Sequence, residues 1–198
     1  MNTELKRFDA NFTAGGLLLN EFKSLEALLL SEDFEEQIHK EEEDNKMIGI
    51  ATKSARSRII SEIKRRYYLA PAGFWNHFFE WNLQEMKFAL LYLCFKTYPL
   101  VLDLHTEVAI RKFKTGNSLD AYDIQMRLDE IASKDQYVAE WSDSTLHKIN
   151  VQYRKAIKDA GLYDGVNLIR PLQINSKFWQ YFEDINEGWF VAACFIKN

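Results

Sequence analysis

Apolar positions recur at helical spacing along nearly the whole chain. Leu18, Phe22, Leu25 and Leu29 stand at i, i+4, i+7 and i+11, the stripe one helix needs to bury a face, and Gly15-Gly16 punctuates its entry. A second strong helix is predicted from Ser54 to about Leu69, with Ala55, Ile59, Ile63 and Tyr67 inward and Pro71 and Gly73 beyond its end. Phe74, Trp75, Phe78, Phe79 and Trp81 then cluster ahead of a helix over 82–98, which Pro99 interrupts. Another helix covers about 100–114 and Gly116 closes it. Ser118 is placed to cap a helix over 119–133, with Leu119, Tyr122, Met126 and Leu128 as core candidates.

The last third changes character. Gln136 to Trp141 reads as a short helix and Ser142-Asp143-Ser144 as a turn and cap. A long helix follows to Ala160, with Leu146, Ile149, Tyr153, Ile157 and Ala160 inward, and Gly161 stands where a left-handed C-cap belongs. Val166 to Arg170 is the one good β signal, ended by Pro171, and Asn175 or Ser176 caps a final helix through Phe178, Trp179, Tyr181 and Phe182. Short helix, tight turn, long helix, then strand is the outline of a winged helix-turn-helix. The expected fold is therefore mostly α: a multi-helix bundle with winged helix-turn-helix-like parts at both ends and one short β wing. Three regions divide it: an N-terminal helical region over 1–70, an aromatic-rich helical middle over 71–134 and a winged-helix-like region over 135–198.

Composition narrows the class. Gly and Pro together number 11 in 198 residues, too few for a loop-rich or all-β fold, while 47% hydrophobic and 14% aromatic residues suffice for a real core. The most apolar run, Phe88 to Phe95, is eight residues between Lys87 and Lys96, against the roughly 20 a bilayer requires. It reads as a buried helix, with no role for a membrane. Cys94 and Cys194 match no zinc or redox spacing and read as buried free thiols of a cytoplasmic protein.

Charge brings in the candidate chemistry. The net charge is −4, yet the cations are concentrated. Lys53, Arg56, Arg58, Lys64, Arg65 and Arg66 face only Glu62 within their run, for +5, and Lys148, Arg154, Lys155 and Lys158 meet no acid between His147 and Lys158, for +4. Each run lies on the second helix of a helix-turn-helix-like pattern. A helix that enters a DNA groove needs an apolar stripe for its own domain and an opposite basic stripe for phosphates and base edges. On the 144–160 helix that outer stripe is read as His147, Asn150, Arg154 and Lys158, with Lys148 and Lys155 beside it and Arg170 on the wing. Asn150 is the outer residue suited to a bidentate contact with adenine. Arg56, Arg58, Lys64 and Arg65 make the N-terminal basic helix a second candidate contact. The two helices also align at an offset of 90, Ser54 on Ser144, Arg58 on Lys148, Ile59 on Ile149, Ile63 on Tyr153, Lys64 on Arg154 and Arg65 on Lys155. The stretch 32–44 carries eight carboxylates against Lys40 and reads as a solvated helix and loop that could mask a basic surface. Arg111-Lys112-Phe113-Lys114 is a smaller basic patch, read as a solvated face.

Enzyme signals are poor. Asp103, His105 and Glu107 alternate but point in different directions on a helix, and no phosphate-binding Gly loop, nucleophile elbow or zinc-ligand spacing occurs. The reading is a non-enzyme that needs neither cofactor nor metal. A protein–protein adaptor, docking through the aromatic middle or the acidic stretch, and an RNA-binding helical protein remain the alternatives.

Three segments, in their order and spacing, resemble the BrxA family of BREX phage-defence systems. They are Phe12-Thr13-Ala14-Gly15-Gly16-Leu17-Leu18, the run Ser54 to Tyr67, and the tail from Ser142 through Lys155 to Asp159-Ala160-Gly161-Leu162 with Leu168-Ile169-Arg170-Pro171. The likeness spans about 10–185. It implies an all-helical, non-catalytic protein with winged-helix-like parts. Such a protein would bind double-stranded DNA and act beside other BREX proteins, a DNA methyltransferase among them. No fixed binding motif transfers from the family, so the candidate residues rest on charge and helix geometry.

Overall fold

Punctuation in the sequence decides where the helices break. In a computed structural model describing residues 8–196, a 3₁₀ turn, Asn11–Ala14, leads into α1 (Leu19–Ser24) and α2 (Glu26–Leu29). The single helix expected there is interrupted at Leu25 (φ −98°, ψ 16°), yet Leu18, Phe22, Leu25 and Leu29 are all buried as the stripe demands. Helix α3 (Phe34–Asp44) packs on α4 (Lys53–Leu69), and α5 (Phe74–Glu80) leads into α6 (Leu83–Thr97). An Asn82/Glu85 capping box starts α6, which is buried at every position from Phe88 to Phe95. It is the central post of the fold. Among the described residues no helix is long and apolar enough to cross a membrane.

Pro99 opens α7 (Pro99–Leu104) at a position where its missing N–H costs nothing. The helix continues through one π turn, His105–Ala109, into α8 (Ile110–Lys114). Then follow α9 (Ala121–Ala132), α10 (Gln136–Ala139), α11 (Asp143–Asp159), α12 (Ser176–Asp184) and α13 (Gly188–Ala193), the last not anticipated from the sequence. The fold is thus mostly helical. Apolar side chains from Phe8 to Phe195 pack in one continuous core that draws on all three sequence regions.

Two expectations are corrected here. The helix after Gly116 is capped by Asp120, not Ser118: its carboxylate accepts from Tyr122 N and Asp123 N. Leu119 therefore lies before the helix, whose buried stripe runs through Ile124, Leu128 and Ile131, while Tyr122 and Met126 are exposed. The β wing shrinks to a single antiparallel bridge between Tyr163 and Leu168. Asp164 Oδ1 takes the N–H groups of Val166 and Asn167, both at 2.7 Å, and Pro171 has none to offer, so no ladder extends from the bridge. At the other end, α4 passes through Pro71 directly into α5 with no strand between. Winged helix-turn-helix parts therefore survive only as their helices.

Two buried polar knots tie the layers. The fully enclosed Arg66 guanidinium donates to Gly16 O (2.7 Å), Leu17 O (2.9 Å) and Tyr98 Oη (3.0 Å). Tyr98 Oη in turn donates to Glu62 (2.5 Å), which Arg65 also grips while reaching Asp9 (2.8 Å). In the second knot, His105 Nε2 meets Ala193 O at 2.8 Å and Nδ1 meets Tyr153 Oη at 3.0 Å. A carbonyl can only accept, so the proton sits on Nε2 and Tyr153 donates to Nδ1.

Replacing Arg66 by Ala should destabilise the protein by about 3–5 kcal/mol, because Glu62 and two loop carbonyls lose their compensation inside the core. Urea unfolding measures it, and a loss below about 1 kcal/mol would show the knot to be dispensable. His105 gives a pH prediction. Burial lowers its pKa from 6.5 to about 4, against the bond to Ala193, which raises it. Between those values the unfolded chain binds a proton that the folded chain refuses. Stability should therefore fall as pH drops through that window and level off below it, by at most about 3 kcal/mol from this group. His105→Phe should be weaker at pH 7 yet show a shallower decline from pH 7 to 5 in parallel urea titrations; an equal decline would remove His105 as the cause.

Candidate nucleic-acid interface

Helix α11 is built to bury one face and show the other. Ser142 Oγ accepts from Thr145 N (3.3 Å), fixing the start, and Gly161 (φ +83°) lets the chain leave at the far end. Leu146, Ile149, Tyr153, Ile157 and Ala160 are all buried, as their spacing predicts. The outer stripe needs correcting by part of a turn. Asn150 is buried, donating Nδ2 to Ala121 O at 2.8 Å and accepting from Arg154 Nε at 2.9 Å, so it belongs to the joint between α9 and α11. Arg154 is accordingly half-buried. The inward face is wide enough to include Asn150 and Ala156, which turns Ser144, Lys148, Val151, Lys155 and Lys158 outermost, with His147 beside them. Lys155 pairs with Asp159 (2.5 Å), whereas Lys148 and Lys158 make no ion pair among the described residues. Lys158 overlooks the turn after the helix, where a Cβ on Gly165 would stand 3.4 Å from its Nζ. Arg170 is exposed beyond that turn, with its guanidinium 5.8 Å from the Phe113 ring centroid.

Helix α4 shares this plan but spends its charge inside. It spans 53–69 against 143–159, an offset of 90 at both ends, and its cap Thr52 corresponds to Ser142. Positions 56, 59, 60, 63 and 66 are buried, as are 146, 149, 150, 153 and 156. Three of the four candidate contacts on α4 are taken by neighbours. Arg56 is buried and donates to Glu42 O (2.5 Å) and Ile50 O (2.8 Å), so it is not an outward phosphate contact. Lys64 pairs with Glu35 (2.6 Å), and Arg65 with Asp9 and Glu62. Lys53 pairs with Glu43 (3.0 Å). The acidic α3 thus covers the basic run, and the expected inward stripe gives way to Arg56, Glu62 and Arg66 beside Ile59, Ile60 and Ile63, with Ala55 exposed and Tyr67 half-buried. Arg58 alone of the four stays exposed with no carboxylate partner among the described residues, donating to Thr13 Oγ1 at 2.9 Å.

That bond joins the two helices into one surface. The 3₁₀ turn carrying Thr13 packs on both α4 and α11, and just past it Gly16 (φ +61°) lies where a Cβ would stand 3.1 Å from Gln152. Neither Thr13 nor Gln152 carries charge, so charge counting could not have found this bridge. The smaller patch is largely neutralised, Arg111 by Glu107 and Lys112 by Asp123 (2.5 Å).

A helical protein presenting one basic helix face, with a second basic helix neutralised by its own acidic neighbour, is the class these features define. The BrxA family model matches residues 6–186, and the chain belongs to that family. Membership associates it with BREX defence. No curated protein matches the chain. Among solved structures, the crystal structure of an uncharacterized protein from Magnetospirillum magneticum is similar, with a TM-score of 0.73 at 20% identity over 95% of this chain and 97% of that one. That likeness shows a shared fold.

Asn150→Ala should cost roughly 1–3 kcal/mol in urea unfolding, because the buried Ala121 carbonyl and Arg154 lose a partner. A change below about 0.5 kcal/mol would place Asn150 outside the joint between the two helices.

Proposed function

We propose that the chain is a non-catalytic duplex-DNA-binding protein that works in the cytoplasm beside other BREX proteins. It grips phosphates through the exposed face of α11 and shows weak sequence preference. The observation that carries this reading is the pair of exposed cations, Lys148 and Lys158, that make no ion pair among the described residues, on a long helix whose opposite face is buried; the Asp164 carboxylate feels the Lys158 charge without pairing with it. In a chain of net charge −4 such cations are not surplus from a generally basic coat. Lys155 adds a third, since an exposed i,i+4 pair is worth only about 0.3–0.5 kcal/mol and yields readily to a phosphate. His147 lies on the same face, Arg58 continues it across the 3₁₀ turn, and Arg170 is exposed beyond the turn that follows the helix. With Asn150 withdrawn, the face holds long cations suited to phosphates and few groups suited to base edges.

Lys148→Ala, Lys155→Ala and Lys158→Ala together should weaken duplex binding roughly 10- to 100-fold, or about 1–3 kcal/mol. The slope of log affinity against log salt should flatten by about 2–3 as those phosphate contacts go. Lys64→Ala with Arg65→Ala, whose cations are already paired, should change affinity far less. Fluorescence anisotropy at two salt concentrations, with DNA duplex, single strand and RNA duplex, makes the comparison. Unchanged affinity in a folded α11 triple variant would overturn the proposal, and tighter binding to RNA would change its ligand.

A further inference from the structure

We propose a second binding site, for an arginine side chain presented by a partner protein, in the cleft between α5 and α12. The cleft encloses about 680 Å³, within the range of specific ligand pockets, and lies apart from the α11 face. Three rings make a corner in it. His77 and Tyr181 lie 4.9 Å apart at 57°, Trp81 and Tyr181 5.2 Å apart at 75°, and His77 and Trp81 6.2 Å apart. Tyr181 is held there by packing alone, its buried Oη having no hydrogen-bond partner among the described residues.

Carboxylates complete the chemistry. Glu80, Glu85 and Asp184 line the cleft against the single ammonium of Lys177. Glu85 lies at depth, where its oxygens accept from the backbone of Asn82 (3.0 Å) and Asn175 (3.2 Å), which holds the carboxyl group in place. Glu80 and Asp184 are exposed at the rim, one 3.7 Å from His77 and the other accepting from Gln180 at 2.8 Å. Aromatic faces attract a cation through their quadrupole, and carboxylates accept the parallel N–H bonds of a planar guanidinium. An ammonium would use the charge but not the plane. The same negative field repels nucleic acid, and a free amino acid would bring its own carboxylate against the rim. A protein-borne arginine meets neither obstacle.

The test uses the full chain, N-acetyl-arginine-amide as the probe and the Trp81 indole N–H cross-peak, assigned through Trp81→Phe. A saturable shift is expected at millimolar probe or below, at least tenfold weaker for N-acetyl-citrulline-amide, which keeps the shape without the charge. Glu80→Gln with Asp184→Asn, both exposed and harmless to folding, should weaken it at least fivefold. No saturable shift, equal binding of the citrulline compound, or an unaffected double variant would each overturn the proposal. Tighter binding of free L-arginine or of tetramethylammonium would overturn it in favour of a metabolite or a quaternary amine. Self-association abolished by the double variant would make the occupant a second copy of this chain, also against it.

Discussion

A guanidinium that cannot reach water must find acceptors, and Arg66 sets the terms for the N-terminal half of the fold. Its charge is balanced at one remove: Tyr98 Oη accepts from Arg66 and donates to Glu62, which Arg65 closes off toward Asp9. Burying such a set is costly unless every hydrogen bond is made, so the geometry of its members is tightly constrained. The acceptors Gly16 O and Leu17 O lie just before α1, Tyr98 lies between α6 and α7, and Arg66 lies on α4. Satisfying one side chain therefore fixes where the 3₁₀ turn, the central α6 and α4 stand relative to one another. Cys94 sits in the same knot, its thiol 3.7 Å from Gly16 O and its pKa pushed up to about 11 by burial, which keeps it inert.

The inward turn of Arg66 has a consequence for charge. A helix that buries Arg56 and Arg66 shows solvent fewer cations than its sequence suggests, and α3 pairs with two of those remaining, Lys53 and Lys64, while Asp9 and Glu62 hold Arg65. Helix α11 has the same length, cap type and burial pattern, yet places Leu146 and Ala156 where α4 has Arg56 and Arg66. Its cations are left outside. Two helices of one plan thus differ in electrostatics through the residues on their inward stripes. The one with an apolar stripe can offer its charge to a ligand.

Much of this was legible in the residues. The positions of α9 to α12, the buried run of α6, the Ser142 and Asn175 caps and the left-handed Gly161 all follow from local rules, whereas α13 after them carries no such signal. A stripe extended from Leu119 passes through Tyr122 and Met126, but Leu119 is buried ahead of the Asp120 cap and the helix itself buries Ile124, Leu128 and Ile131. The β signal at 166–170 was real in propensity but had no partner strand, and strand formation depends on a partner. The α4 contacts failed for a non-local reason. Nothing within positions 53–66 reveals that Glu35, Glu43 and Asp9 will arrive beside them. The bearing of the 32–44 stretch on that surface was visible only as a surplus of negative charge.

Asn150 shows what the apolar stripe cannot specify. Hydrophobic packing is nearly indifferent to small rotations of a helix about its own axis, so a stripe of Leu and Ile limits the phase of α11 without fixing it. Polar ties along the buried side supply the rest: Asn150 to Ala121 O, Tyr153 to His105 and on to Ala193 O, and Ala160 O to Gln84 (2.5 Å). These lie near the middle and the C-terminal end of the helix and reach three different neighbours. A rotation large enough to expose Asn150 would break all three at once. The stripe through Lys148, Lys155 and Lys158 is therefore set by buried hydrogen bonds on the opposite side of the helix.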